Sequence, residues 1–356
     1  MCHRLPEVSL VHYINLRSEL FGGRAMPTVY CGNRIFKFRA TILQEELMDI
    51  NDEKQGYSSN PRVPFELSTA RAPMAAPNGK PLIIHVLCAL EHWRFDGPMP
   101  RQIMPAPHGA SPVPDIPNWS WAEYGMRCGM PRLLRVLGER GLRADACINA
   151  GVLDAYPSVA EAVLEAGWEF HGHGLHQQAM PDAEEPELIR AAIDKLESFS
   201  GQRVRGWTGP GLKESFDTPD NLKAAGIEYT CDWVIDDLPC WMRTKHGPLV
   251  CVPYTLELND SVIFAVEKHT SSEHYDRLRY SLEAIEPELE HGPRVLSLSL
   301  HHHLSGVLHR IGFVEKMLDL LCARHDTVFM TGGEIVDWFL AANGSNGDTA
   351  SHREEG

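Results

Sequence analysis

No apolar run in this chain approaches the roughly eighteen residues needed to span a bilayer, so no membrane-crossing helix is expected. The chain also has no CxxC pair. Its nine cysteines are odd in number and scattered at positions 2, 31, 88, 128, 147, 231, 240, 251 and 322. Several fall inside apolar segments, as buried free thiols do. That usage excludes a disulfide framework and points to a reducing, cytoplasmic location. Positive charge is in short supply: 33 Lys and Arg against 48 Asp and Glu give a net charge of −15. A surplus of that sign argues against a nucleic-acid partner. The opening stretch, MCHRLPEVSLVHYINLRSE, is interrupted by charge and lacks the apolar centre of a signal peptide.

What the chain does have is length and apolar content. At 356 residues and 43% hydrophobic it can bury a large core, either as one α/β barrel with extensions or as two domains. Residues 1–61 show little periodicity and read as a partly irregular extension, an arm or an oligomer contact. Residues 62–341 alternate apolar strands with helices. Strands are expected at 81–90, 144–149, 168–172, 204–208, 227–234, 249–254, 294–300 and 327–330. The first is apolar almost throughout, as when both sheet faces are covered. A Pro-rich stretch from Trp93 to about Ser120 reads as a long loop at the mouth. Helices are expected from Pro131, from a Ser158–Glu161 capping box, from Pro186 to near Gly201, after Thr218–Pro219, and over 272–289, 312–324 and 333–340. Residues 342–356 are rich in Gly, Ser and Asp and are expected to be disordered. The alternation predicts parallel strands with crossover helices, in a barrel whose strand ends gather at one mouth.

The chemistry-bearing residues fall at those strand ends. Glu91 follows the first strand and suits a general base or a metal ligand. His171 lies near the end of the third strand and His173 and His176 follow it, with glycines flanking His173. His173 and His176 are three apart, a spacing some zinc sites use. Trp207 lies in the glycine-rich Arg205–Gly211 segment. Trp233 lies at the end of the fifth strand and Asp236 just after it. Tyr254 ends the sixth, Glu257, Asn259 and Asp260 follow it, and these four could bind polar substrate groups. His301 ends the next strand and suits a general acid or oxyanion donor, and Arg310 could clamp a carboxylate.

Taken together, these motifs resemble the polysaccharide-deacetylase-like (NodB-homology) hydrolases, over about residues 62–340. The resemblance runs through the Glu91 segment, Gly172-His173-Gly174, Arg205-Gly206-Trp207, Asp232-Trp233 with Asp236-Asp237-Leu238-Pro239, and Leu300-His301. It is closest to the intracellular branch with allantoinase-like and cyclic-imide-hydrolase-like members, through Asp236–Pro239, Val252–Thr255 and Asn259-Asp260. The resemblance implies a distorted (β/α) barrel and an oligomer. The family's sugar deacetylases bind a divalent metal through two acids in the first motif and two histidines four apart in the second. Here the first motif, Cys88-Ala89-Leu90-Glu91, holds one acid, and Gln177 stands four after His173. A zinc-type site would therefore need Glu91, His173 and His176. His302 and Leu308 stand where the branch tends to have prolines.

The expected activity is hydrolysis of a non-peptide carbon–nitrogen bond in a small amide, cyclic imide or ureide. Glu91, His173 and His301 would carry the catalysis. Trp207, Trp233, Asp236, Tyr254, Asn259 and Arg310 would bind the substrate. The alternatives are a metal-dependent deacetylase of an N-acetylated sugar and a barrel that binds a metabolite without turning it over.

Overall fold

The protein is described by a computed structural model covering residues 28–31, 34–37, 59–105 and 112–343. The chain divides into two compact units, Met1–Ser59 and Asn60–Gly356. In the first, Thr28–Cys31 (β1) and Arg34–Lys37 (β2) pair antiparallel. Most of the expected 1–61 extension, and residues 344–356 of the expected tail, lie outside the described residues. Among the described residues no helix is long and apolar enough to cross a membrane.

The second unit is an α/β half-barrel built on a curled, mixed sheet. Its strands are Leu82–Leu90 (β3), Asp145–Ile148 (β4), Glu169–Gly172 (β5), Gly206–Trp207 (β6), Tyr229–Thr230 (β7), Cys240–Met242 (β8), Leu249–Cys251 (β9), Arg294–His301 (β10) and Thr327–Phe329 (β11). The order is β10-β3-β4-β5-β6-β7-β9-β8, with β11 also on β3. Every pairing in this sheet is parallel except β8 with β9. All nine residues of β3 are buried, because strands and helices cover it on both faces. A parallel bridge from Asn259 to Ser299 draws the segment after β9 onto β10. The parallel register sets His301 beside Ala89 and Gly172 beside both Ile148 and Trp207. The carboxyl ends of β3, β5 and β10 thus emerge at the same end of the sheet.

The structure corrects several local expectations. The Pro-rich stretch contains a helix, Ile116–Tyr124, whose N-cap Asp115 accepts from the Asn118 backbone N–H. The expected capping box at Ser158 does not form. Pro157 takes the first helical position, so the helix begins at Pro157 and Tyr156 is its N-cap, without a side-chain bond. The helix expected from 312 begins at Leu308. Of the strand expected over 227–234, only Tyr229–Thr230 stays in the ladder. Asp232 instead turns its carboxylate onto the Gly209 N–H, at 2.8 Å. The short antiparallel strand Cys240–Met242 was not foreseen in the sequence.

Candidate active site

His301, the last residue of β10, is held in a row of acid, imidazole and acid. The Asp260 carboxylate accepts hydrogen bonds from His301 Nδ1–H at 2.5 Å and from the His301 backbone N–H at 2.7 Å. The Ser305 hydroxyl donates to the same carboxylate at 2.6 Å. With Nδ1 committed to Asp260, Nε2 points at Glu91 Oε1, 3.4 Å away. All three groups are buried. Burial alone would push a histidine down, but the two carboxylates outweigh it and raise His301 to about 9. Burial would likewise raise both acids. The His301 charge prevails and holds Glu91 and Asp260 below the usual carboxylate range. At neutral pH the row is anion, cation, anion.

His173 is fixed differently. Its strand ends at Gly172, where a Cβ would sit 2.5 Å from the Trp207 ring, so only glycine lets β5 lie this close to β6. Beyond it, His173 Nδ1 lies 2.5 Å from the Thr208 carbonyl oxygen. A carbonyl can only accept, so Nδ1 carries the proton and Nε2 presents a lone pair. Nε2 has no hydrogen-bond partner among the described residues. Burial lowers the His173 pKa and keeps the ring neutral. The Asn149 amide secures both strand ends, donating to the His173 carbonyl and accepting from the His92 N–H.

Glu91, His173 and His301 line one cavity of about 230 Å³. Tyr254 and Asn259 also line it, joined by a 2.8 Å bond from the Asn259 amide to the Tyr254 hydroxyl. Five buried polar atoms of the lining lack partners among the described residues: Glu91 Oε2, Arg101 Nη1, His173 Nε2, Gln177 Oε1 and Ser299 Oγ. Buried polar atoms are normally satisfied. Five unsatisfied ones around a single space mark a site for water and a polar ligand.

The other residues singled out in the sequence sit elsewhere. His176 turns away to His92, with their Nδ1 atoms 3.0 Å apart. Trp207 is fully buried in the main core against Gly172. Trp233 lines a separate, more open cleft of about 710 Å³ and donates to Glu214. Asp236 pairs with Arg71 at 2.7 Å. Arg310 stacks on Phe264, its guanidinium 4.0 Å from the ring centroid. His171 lies inside the barrel, bonded to Thr208 Oγ1 and to Tyr229. His302 and His303 are buried; His302 faces Gly125, and His303 lies edge-on between Trp93 and Trp121.

The sequence reading missed three roles. Asp260, expected from its place after the sixth strand to bind polar substrate groups, is instead the partner of His301. Arg101 and Thr208 were not singled out. The Asn259-Asp260 pair was visible, but its link to His301 spans 41 residues and leaves no local pattern. Arg101 lay in what read as a loop.

A divalent metal does not fit the donors present. Zinc sites use three or four His, Cys or carboxylate ligands, and no such group of three exists among the described residues. Glu91 and His173 offer two free donor atoms. His176 is turned to His92, Gln177 offers an amide, and position 89 is alanine.

The curled sheet and the buried acid–imidazole row define an α/β half-barrel with a candidate active site at the carboxyl ends of its strands. Residues 120–230 match the polysaccharide deacetylase family model. A putative polysaccharide deacetylase of Schizosaccharomyces pombe is 27% identical over 263 residues, 67% of this chain and 80% of that protein. The solved structure of PuuE allantoinase is similar at a TM-score of 0.66 and 25% identity, covering 80% of this chain and 96% of that one. A probable polysaccharide deacetylase from Pseudomonas aeruginosa gives a TM-score of 0.68 at 24% identity, with coverage of 80% and 96%. Over residues 120–230 the chain is thus similar to polysaccharide deacetylases of the NodB type, and its likeness to PuuE is consistent with the allantoinase-like branch.

Proposed function

We propose that this protein hydrolyses a non-peptide carbon–nitrogen bond in a small amide, cyclic imide or ureide. The observation that carries this reading is the fixed imidazolium of His301 facing the same small cavity as the free Nε2 of His173. Water would be held between Glu91 Oε2 and His173 Nε2. Its oxygen attacks the carbonyl carbon while His173 Nε2 takes its proton. The carbonyl becomes a tetrahedral oxyanion, stabilised by the imidazolium. The carbon–nitrogen bond then breaks as His301 Nε2 gives its proton to the leaving nitrogen. The proton on His173 restores His301 through solvent, so the net change is addition of one water across the bond.

Two observations favour a small substrate. A cavity of about 230 Å³ is below the ~300–1,000 Å³ usual for drug-sized ligands. The similar PuuE structure is that of an allantoinase. The test is a turnover screen of ring imides, ureides and small amides with wild-type protein, E91Q and H301Q. General acid–base groups contribute about 10²–10⁴-fold, so H301Q should lose at least the lower figure in kcat/KM, and E91Q, which loses the charge that holds the water and faces His301, should be slower as well, both assayed as folded protein. Undiminished turnover in both variants would overturn the assignment.

The second reading, metal-dependent removal of an acetyl group from an amino sugar, is favoured by the family match itself. It requires a metal-dependent activity on N-acetylated sugars, which the same screen can include with and without added zinc.

A further inference from the structure

Arg101 comes from the segment between β3 and the helix Ile116–Tyr124, not from a strand end, yet it lines the cavity with Glu91, His173 and His301. Its Nη1 is buried and has no hydrogen-bond partner among the described residues, and neither has Oε2 of Glu91. The two opposite charges interact through space but do not close on one another. A buried ion pair left open forfeits hydrogen bonds that would offset its desolvation. A polar group lying between or beside them would give both atoms the hydrogen bonds they lack.

The charges also restrict what that ligand is. The ionised groups lining the cavity are Glu91, negative, and His301 and Arg101, positive; Asp260, bonded to the far side of His301, adds a second negative charge. They sum to zero. Glu91 repels an added anion, whereas a neutral group with an acceptor oxygen satisfies the guanidinium at no cost in charge. Arginine presents rigid, planar donors suited to an sp² oxygen.

We propose that Arg101 is a specificity-determining residue that holds a second carbonyl oxygen of a neutral substrate, across the nitrogen from the carbonyl under attack. This rests on the hydrolytic reading and sharpens it. The cavity would prefer a diacyl nitrogen compound, with carbonyls on both sides of the nitrogen, to a simple amide of the same size. The scissile carbonyl meets His301 and the held water, and the other oxygen meets Arg101.

The test compares binding of succinimide with its single-carbonyl lactam, by calorimetry, to wild-type protein, R101M and R101K. Charged hydrogen bonds contribute about 1.5–3 kcal/mol, so wild-type protein should bind succinimide about 10- to 100-fold more tightly than the lactam. R101M should abolish that ratio and R101K should restore part of it, with thermal unfolding midpoints showing that both variants fold. Equal affinity of wild-type protein for the two rings, no binding of either, or a ratio that survives in R101M overturns the inference. Turnover is measured separately. A binding preference lost in R101M, without turnover of any carbon–nitrogen compound, upholds the role of Arg101 and sinks the hydrolytic reading. Turnover without the preference does the reverse.

Discussion

Asp260 and His301 lie 41 residues apart in sequence and 2.5 Å apart in the structure. Asp260 selects the tautomer of His301, aims its second nitrogen into the cavity, and helps keep it charged. An asparagine of the same shape would accept at its oxygen but bring no charge. D260N should therefore lose about 10²–10⁴-fold in kcat/KM, and its unfolding midpoint should also fall, because its amide N–H would face a donor at one of the two oxygens that accept bonds. D260A leaves a buried imidazolium without its main partner, which costs about 3–5 kcal/mol, measurable by urea denaturation. Full activity in D260N would contradict the role given to this pair.

The pH dependence follows from the same contact. His301 moves from an ordinary value of 6.5 to about 9 in the folded protein. A raised histidine stabilises the fold fully below 6.5, and that contribution is lost as pH rises through about 9. Glu91 and Asp260 are lowered, so their contribution is present above the ordinary carboxylate range and lost as pH falls through their folded values. The kcat/KM profile should fall on the alkaline side near pH 9, where His301 gives up its proton. The unfolding midpoint of wild-type protein should drop over the same range. In H301Q that alkaline drop should be smaller.

Gly172 offers a test of site construction. A Cβ there would lie 2.5 Å from Cε3 and 2.9 Å from Cζ3 of the fully buried Trp207, and neither the ring nor the strand has room to move. G172A should cost about 1–3 kcal/mol in stability. It should also lower activity more than its stability loss explains, because His173 is the next residue. An unchanged kcat/KM in G172A would show that the end of β5 does not position His173.

Metal removal bears on the donor set. Glu91 and His173 alone provide two free ligands, too few for the three-ligand catalytic sites zinc usually occupies. Prolonged dialysis against a chelator should leave turnover of a ring imide or ureide unchanged, and purified protein should hold well under one zinc per chain. Loss of activity on chelation, restored by zinc, would contradict this.

Much of the scaffold is legible in the sequence because its signals are local. The apolar runs that become β3 and β10, the glycines around His173, and the Pro186 and Gly201 that bound the helix Glu185–Ser200 each act within a few residues. Glu91, His173 and His301 were placed by the same logic, as groups just past apolar strands. What escaped depends on distance in sequence. Pairing of Asp260 with His301 needs the Asn259–Ser299 bridge, and no short pattern encodes it. Arg101 reads as one more charge in a Pro-rich stretch, and the helix beside it hides behind Pro117. His176 fits a ligand spacing, but the turn after Gly174, at φ 73°, carries it to His92. Trp207 reads as a pocket wall, yet the alternation of a buried strand points it into the core.

The most direct test of the central claim is ring opening itself, followed as the appearance of product carboxylate from a panel of cyclic imides and ureides. Wild-type protein should open at least one of them, and H301Q, assayed below its own unfolding midpoint, should be slower by about 10² or more. A panel untouched by wild-type protein, or one opened equally fast by H301Q, would contradict the account.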